Sequence, residues 1–154
     1  MSVSAILLLL GALMIASVEG YVSYHQEFRF PKRYYVSMEY EPFGLAKMHG
    51  RCKTLGGHLV TLDDKDEFDY VKFVVGAVRG RGPFFTGITD TKQEGTWLNY
   101  HDSKPAKYLK WRWFQPDNYW GEDCVEIGYY GLNDKGCEKK GRYICEVHYS
   151  NVKD

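Results

Sequence analysis

The residues that offer the clearest chemistry are side chains with hard oxygen atoms in the second half of the chain. Ca²⁺ takes roughly six to eight such oxygens, drawn from carboxylates and amide carbonyls. Acidic loop residues are also common as solvated groups or turn caps, and Asn133-Asp134 taken alone is typical of an ordinary turn. The candidate ligands are Asp90, Glu94, Gln115, Asp117, Asn118, Glu122, Asp123, Asn133 and Asp134.

The sequence has no comparable set of residues that would support catalysis. The sequence contains no GxSxG elbow, P-loop or HExxH motif. The cysteines and histidines also lack the close CxxC or HxxxH spacing that is typical of zinc sites. The sequence therefore predicts a binding protein and not an enzyme. The histidines, which are scattered, are His25, His49, His58, His101 and His148.

The composition predicts one domain without a strongly charged face. The chain has 154 residues, and 20 Lys and Arg residues balance 20 Asp and Glu residues. This length suits a single core. Nucleic-acid binders usually carry a basic face, and the interspersed charges here give no such signal.

The first residues are typical of a secretory signal peptide, which we expect to comprise residues 1–20 and to be cleaved after Gly20. The apolar run has about eleven residues, against roughly 20 for a membrane-spanning helix. A membrane anchor is the less favoured alternative. We therefore expect a secreted, extracellular protein in which the four cysteines form two disulfides, although the sequence allows three pairings.

Two helices followed by strands indicate an α+β domain. Residues 43–55 carry apolar side chains at helical spacing between Pro42 and a Gly-Gly pair. Asp64 and Glu67 resemble a capping box that opens a second helix. That helix would bury Phe68, Val71, Val75 and Val78. We expect strands at 59–62, 125–130 and 142–148, and an edge strand with a loop in 21–36.

Residues 90–121 are too long and too polar for a simple connection. Loops of more than about 15 residues are usually functional or disordered. Disordered segments are poor in aromatic residues, so the many aromatics here favour an ordered functional loop. They are Trp97, Tyr100, Tyr108, Trp111, Trp113 and Trp120.

Several short motifs in order resemble those of the C-type lectin family, over roughly residues 34–147. Each motif alone is weak, and the signal comes from their conjunction. The motifs are Cys52-Lys-Thr-Leu-Gly-Gly-His-Leu-Val, Phe85-Thr86-Gly87-Ile88, Glu94-Gly95-Thr96-Trp97, Trp111, Gln115-Pro116-Asp117-Asn118, Gly121-Glu122-Asp123-Cys124-Val125 and Tyr143-Ile144-Cys145-Glu146.

The resemblance implies a C-type lectin-like fold with two helices, antiparallel strands and a long calcium-binding loop region. It divides the chain into an N-terminal segment at 21–33, the lectin domain at 34–148 and a tail at 149–154. It also implies two disulfides, Cys52 with Cys145 and Cys124 with Cys137. Leu132 replaces a Trp that is common in the family, and we expect it to fill the same apolar niche.

The family's ligand positions imply one calcium ion in the sugar site and a possible second, auxiliary ion. The peptide bond before Pro116 is expected to be cis. By resemblance, the sugar-site ligands are Gln115, Asp117, Glu122, Asn133 and Asp134. The auxiliary ligands are Asp90, Glu94, Asn118 and Asp123, with Glu122 contributing again. Loop capping without a metal ion is the alternative for the auxiliary set.

The resemblance implies a calcium-dependent carbohydrate-binding lectin. Gln-Pro-Asp at 115–117 tends to accompany ligands with terminal galactose or N-acetylgalactosamine. The sugar itself would contact Gln115, Asp117, Glu122, Asn133, Tyr119 and Trp120. Either aromatic ring can instead point into the core. The alternative function is a lectin-like domain that binds a protein, ice or a mineral surface, and a homo-oligomer for avidity stays open.

Overall fold

The computed structural model describes residues 31–42, 44–78 and 82–149 in full and the backbone alone of residues 8–9, 12–18 and 21–25. The rest of the predicted signal peptide and residues 150–154 of the tail lie outside the described residues, so the domain limits and the cleavage stay predictions. The elements are β1 (Leu8–Leu9), β2 (Ala12–Val18), β3 (Tyr21–His25), β4 (Lys32–Ser37), α1 (Leu45–Thr54), β5 (His58–Leu59), α2 (Lys65–Ala77), β6 (Phe84–Thr89), β7 (Leu98–Asn99), β8 (Cys124–Gly128), β9 (Gly131–Lys135) and β10 (Arg142–His148).

Both predicted helices are present. α2 begins where the sequence indicates, because the Asp64 carboxylate accepts the backbone N–H of Glu67 at 2.8 Å. The reciprocal bond is displaced by one residue, since the Glu67 carboxylate accepts the N–H of Asp63. All four apolar residues predicted for the buried face of α2 are buried. The helix therefore packs on the sheet as its periodicity predicts.

The strands form one sheet in the order β1-β2-β3-β4-β10-β6-β8-β9, with β5 paired to β10 and β7 paired to β6. Antiparallel strands were expected, and every pairing is antiparallel except that of β10 with β6, which is parallel. The expected α+β architecture is confirmed, with a mixed sheet. In the uncleaved chain β4 is an interior strand, and the predicted cleavage would leave β3 at the edge.

Two disulfides hold the domain together, and both predicted pairings are confirmed. Cys52 on α1 bonds to Cys145 on β10, and Cys124 on β8 bonds to Cys137. In the chain-entropy model the wide bridge stabilises by up to about 5 kcal/mol and the narrow one by about 3 kcal/mol. The wide bridge joins the two ends of the domain, and the narrow bridge closes the segment that contains β9.

One local prediction was wrong. The predicted strand at 59–62 is reduced to β5, although Val60 still donates its N–H to the carbonyl of Ile144 on β10. Asn133 and Asp134, for which an ordinary turn was the alternative to a metal site, lie in strand β9, which pairs with β8. Leu132, by contrast, is fully buried in the core, as predicted. In the parts of the chain that the structure describes, no helix is long and apolar enough to cross a membrane.

Candidate metal centre

The long loop is fastened to strand β9, which places its polar side chains beside Asn133 and Asp134. Leu132 donates its N–H to the carbonyl of Lys110, and Arg112 donates to the carbonyl of Leu132. This close approach needs Gly131, whose φ is +128° and where a Cβ would lie 2.9 Å from the Lys110 carbonyl oxygen. The fold thus brings the side-chain oxygens of the long loop close to those of Asn133 and Asp134 on β9.

Three carboxylates meet at this junction and are called here the carboxylate cluster: Asp117, Glu122 and Asp134. One oxygen atom of each lies within 4.8 Å of the others. None of the three forms an ion pair with a Lys, Arg or His side chain within the described part of the chain. Like charges this close repel one another, so the cluster has the electrostatic character of a cation site.

Two oxygen atoms that have no hydrogen-bond partner indicate that these residues fit a metal ion. Oδ1 of the fully buried Asp134 and Oε1 of Gln115 are themselves buried and have no hydrogen-bond partner. Buried polar atoms are nearly always paired, and an ion is one of the few groups that satisfies an oxygen without a donor. An all-oxygen set of carboxylates and an amide matches the preference of Ca²⁺.

The turn at 115–119 is held by its own side chains. The Gln115–Pro116 peptide bond is cis, as expected. Gln115 Nε2 donates to Asp117 Oδ2 at 2.9 Å, and Asp117 Oδ1 accepts the N–H of Tyr119 at 3.1 Å. Asn118 donates its N–H to Asp134 Oδ2 at 2.6 Å. These bonds orient the loop side of the cluster toward the strand side.

Asn133 lies beside the cluster with its oxygen turned to another partner. Its Oδ1 accepts a hydrogen bond from Arg112 Nη2, and its Nδ2 donates to Glu126 Oε1 at 3.0 Å. The structure therefore brings Asn133 close but engages its ligand oxygen. Arg112 and Glu126 were missed from the sequence. Arg112 gives no signal between two tryptophans, whereas Glu126 is a lone acidic residue in an apolar strand and could have been noticed.

The predicted auxiliary ligands form a looser group around Asp134. Asn118 Nδ2 donates to Glu94 Oε2 at 2.7 Å, and Asn118 Oδ1 accepts the N–H of Glu122. Asp90 is buried, its N–H donates to the carbonyl of Asp123, and its Oδ1 has no partner. Among the described residues, Asp90, Glu94 and Asp123 do not converge as tightly as the carboxylate cluster.

Excess negative charge shows in the acidities of both groups. Burial raises the pKa of Glu122, and the charges of Asp134 and Asp117 raise it further. Burial likewise raises the pKa of Asp90, with added repulsion from Asp123 and Asp134. The pKa of Glu94 is raised by desolvation and then by Asp90, Asp123 and Asp134. Asp134 therefore contributes to the raised pKa of one carboxyl group in its own cluster and of two among the auxiliary ligands.

Comparison with known proteins identifies the fold family. The family model for the lectin C-type domain matches residues 44–147. This chain belongs to the C-type lectin family. Perlucin of Haliotis laevigata is 32% identical over 114 residues, covering 69% of this chain and 73% of that protein. The mouse scavenger receptor C-type lectin carbohydrate-recognition domain has a TM-score of 0.70 at 31% identity, covering 80% of this chain and 94% of that chain.

A more distant neighbour shares the fold alone. A calcium-independent type II antifreeze protein superposes with a TM-score of 0.65 at 20% identity, covering 88% of this chain and 95% of that chain. The C-type lectin fold therefore also occurs in a protein described as independent of calcium. For this lectin domain, the residues of the site have to decide the ligand.

The site of this lectin domain is bordered by exposed aromatic rings. Tyr119 and Trp120 are 66% and 88% exposed, so neither ring points into the core. Trp113 and Phe114 are 87% and 89% exposed on the other side of the cis peptide bond. Phe114 and Trp120 both have positive φ, a backbone region that bulky residues rarely adopt. The loop thus presents large apolar surfaces to solvent next to the carboxylate cluster.

Proposed function

We propose that this protein is a secreted, calcium-dependent lectin that binds carbohydrate at the carboxylate cluster. The observation that carries the proposal is the meeting of Asp117, Glu122 and Asp134 without a basic partner in the described chain, beside the unpartnered oxygens of Asp134 and Gln115. A bound cation relieves this repulsion and satisfies both oxygens. The mouse neighbour is named a carbohydrate-recognition domain, which agrees with a sugar ligand.

The proposed calcium ligands are the five predicted ones. Asp117, Glu122 and Asp134 supply three negative charges, and Gln115 contributes the unpartnered amide oxygen. Asn133 joins them once its oxygen is released from Arg112. When bound, calcium supplies coordination positions that two vicinal sugar hydroxyls can occupy. The chain's own atoms then recognise those hydroxyls, since carboxylate oxygens accept and the Gln115 and Asn133 amides donate hydrogen bonds.

A second calcium at Asp90, Glu94, Asn118 and Asp123 is a weaker part of the proposal. The unpartnered Oδ1 of Asp90 supports it. The hydrogen bonds of Asn118 to Glu94 and Glu122 already organise this part of the loop without an ion. Its loss would soften the loop while leaving the carboxylate cluster in place.

We propose a galactose-type preference from the order Gln115-Pro116-Asp117 and from the exposed rings. An aromatic ring adds apolar contact to the C–H face of a sugar, and Tyr119 and Trp120 are both free to do so. Glycans that end in galactose or N-acetylgalactosamine are therefore the proposed partners.

Exchanging the two ligands tests the preference. The double change Gln115→Glu with Asp117→Asn swaps an amide for a carboxylate on each side of Pro116 without changing net charge. One or two hydrogen bonds of about 1 kcal/mol each are reversed, so the mannose-to-galactose affinity ratio should rise roughly fivefold to thirtyfold. An unchanged ranking on a glycan panel would refute the specificity argument and leave the calcium site untouched.

A second candidate function is binding of a protein, ice or mineral surface without sugar recognition. It is favoured by the exposed Trp113 and Phe114, and by the fold shared with a protein that is named as a calcium-independent antifreeze protein. For this function we expect that free monosaccharide does not compete with the bound surface or protein.

Retention on galactose-coupled and mannose-coupled resins decides between the two candidates. The lectin proposal expects retention in calcium, release by chelator and elution by free monosaccharide. Absence of retention on both resins, with calcium binding confirmed by titration, would favour the second candidate.

Secretion is supported by the two disulfides, which persist in oxidising compartments, and by the signal-like residues 1–20. N-terminal sequencing of protein from the culture medium should begin close to Tyr21. Homo-oligomers would raise the avidity of weak single sites. Light scattering of the secreted protein measures its oligomeric state.

A further inference from the structure

A second group of potential ligands, called here the histidine cluster, lies on the sheet and is separate from the carboxylate cluster. It consists of His58 on β5 and of Glu146 and His148 on β10. Register explains the meeting, because Glu146 is paired with His58 across the strands. Residues two apart on a strand share a face, so His148 lies on the same side as Glu146.

The spacing of the three ligand atoms is that of a metal site. Glu146 Oε1 lies 3.4 Å from His58 Nε2 and 3.6 Å from His148 Nε2, and all three atoms fall within 4.8 Å of one another. Zn²⁺ binds imidazole nitrogen and carboxylate oxygen at about 2.0–2.2 Å, which puts tetrahedral ligands roughly 3.3–3.5 Å apart. The edge from Glu146 to His58 already has that length and the edge to His148 is slightly longer, so the main change needed is a closer approach of the two histidines.

The orientation of His58 leaves its lone pair on the correct atom. Its Nδ1 lies 2.9 Å from the carbonyl oxygen of Leu59, which can only accept, so Nδ1 carries the proton. In this tautomer of the neutral ring, Nε2 carries the lone pair and faces Glu146. A carbonyl that fixes the far nitrogen of a histidine is a common outer partner in metal sites.

Glu146 is held by a short bond at one oxygen and only by longer contacts at the other. Its Oε2 accepts the N–H of Thr61 at 3.0 Å. The neighbours of Oε1, which include Thr61 Oγ1 and Lys32 Nζ, lie at 3.4 to 3.6 Å, beyond the usual hydrogen-bond range. Lys32 is held elsewhere by its shorter bonds to Glu67 at 2.7 Å and Asp63 at 2.8 Å. The side chain of Glu146 is 1% exposed, so Oε1 is a buried carboxylate oxygen that faces both histidines.

Charge and access also permit a cation. The cluster borders a cleft of about 190 Å³ whose charged lining includes Lys32, Asp63, Asp102, Lys104, Lys107 and Glu146. The three carboxylates of this lining balance its three ammonium groups, so an added cation meets no net positive charge. His148 is 42% exposed at the mouth, so a water molecule can reach a fourth position. His101 stacks on His58 at 3.6 Å between ring centroids and covers its other side.

We propose that His58, Glu146 and His148 bind a Zn²⁺-class transition-metal ion, with a fourth position open to water. Two imidazoles and one carboxylate suit zinc, whereas calcium disfavours imidazole. The ion would fasten β5 to the end of β10 and would be separate from the proposed calcium ions. This site could not be recognised from sequence spacing, since 88 positions separate His58 from Glu146.

The test is calorimetric titration of Zn²⁺ into the full secreted protein with calcium in excess, with Asp117→Ala, His58→Ala and His148→Ala measured in parallel. We expect one zinc equivalent, unchanged in Asp117→Ala and weakened at least roughly tenfold in each histidine variant. His49→Ala, which removes a histidine outside the cluster, is the matched control. Co²⁺ in place of Zn²⁺ should give the visible absorption of a four-coordinate site in wild type and not in His148→Ala.

Folding of each variant is checked by near-ultraviolet circular dichroism, and His148→Gln replaces His148→Ala where the latter fails to fold. Affinity should also fall between pH 7.5 and 5.5, because zinc requires neutral imidazoles. Zinc affinity within twofold of wild type in both histidine variants would overturn the proposal. Loss of zinc binding in Asp117→Ala, with the histidine variants unaffected, would assign the ion to the carboxylate cluster instead.

Discussion

The carboxylate cluster and the buried charges around Lys32 solve the same electrostatic problem in different ways. In the second group, called here the lysine cluster, Lys32 Nζ lies within 4.0 Å of Asp63, Glu67 and Glu146, and its side chain is 5% exposed. The carboxylate cluster has no basic residue in that role within the described chain. One group therefore carries its own cation as part of the sequence, and the other depends on a cation from solution.

The acidities follow this difference. Burial alone would lower the pKa of Lys32, but the charges of Glu146 and Glu67 and the bond to Asp63 raise it above its usual range. In the carboxylate cluster burial and mutual repulsion raise the pKa of Glu122. Lys32 and Asp63 are therefore held in their charged states, although burial and the charge of Glu146 raise the pKa of Glu67. The raised pKa of Glu122 disfavours its charged state until an ion arrives. We therefore expect the two clusters to differ in how substitution, calcium and acid change the stability and calcium affinity of the protein.

The largest expected effect comes from removing the internal cation. Lys32→Met leaves Glu67 and Glu146 buried without their partner, which should lower the free energy of unfolding by about 3–5 kcal/mol. Urea denaturation in the presence and absence of calcium measures it. Lys65→Met is the control, because Lys65 pairs with Asp69 on the surface and should unfold close to wild type. Equal midpoints for the two variants would remove the distinction between the clusters.

Next in size is the loss of a proposed calcium ligand. Asp117→Ala removes one charged ligand from an exposed position, so calcium affinity should fall roughly tenfold to a hundredfold and sugar retention should disappear. Stability without calcium should change little, since Asp117 makes no buried contact that holds the core. Asp69→Ala on α2 has the same charge change and should retain calcium and sugar. Unaltered calcium titration by Asp117→Ala would contradict the ligand assignment.

Acid should separate the clusters further. Burial alone would raise the pKa of Asp63, but hydrogen bonds from Lys107 and Lys32 lower it from 3.8 to about 2. A depressed folded-state pKa gives stability that is present above pH 4 and is lost as pH falls from about 4 to 2. Asp63→Asn should flatten this part of the acid unfolding curve, by about 1 kcal/mol or less because the group is partly exposed.

The raised pKa of Glu122 has the opposite sign, because protonation relieves repulsion in the folded state. Protonation of Glu122 should therefore not contribute to acid unfolding of the calcium-free protein. Acid curves of Asp63→Asn and wild type that coincide between pH 4 and 2 would show that Lys32 and Lys107 do not bind Asp63 in solution.

The smallest effect concerns Arg112, a cation at the border of the carboxylate cluster. Its bond to Asn133 Oδ1 competes with calcium for that oxygen, and its charge opposes the ion. Arg112→Gln should therefore tighten calcium binding roughly twofold to fivefold, as for one partly exposed charge pair. Lys110→Gln on the same loop is the control. Weaker binding in Arg112→Gln would mean that Arg112 positions Asn133 for the ion.

The amino-acid sequence determined the parts of this protein that depend on short-range order. Helix α2 and its cap at Asp64 follow from local periodicity and capping chemistry. The candidate ligands of the long loop also lie within a few residues of one another, so the motif at Gln115, Asp117 and Glu122 is visible without a structure. The disulfide pairing and the family were available from the order of these motifs.

Tertiary structure decided what depends on contacts between distant strands. Strand β9 could not be recognised from Asn133-Asp134, because two adjacent polar residues are typical of a turn. Pairing with β8 nevertheless buries both of them. Arg112 reaches Asn133 only because Gly131 lets the loop approach β9 closely. His58, Glu146 and His148 meet only through the register of β5 on β10. Local propensity acts over a few residues, whereas register, burial and charge pairing are set when the whole sheet assembles.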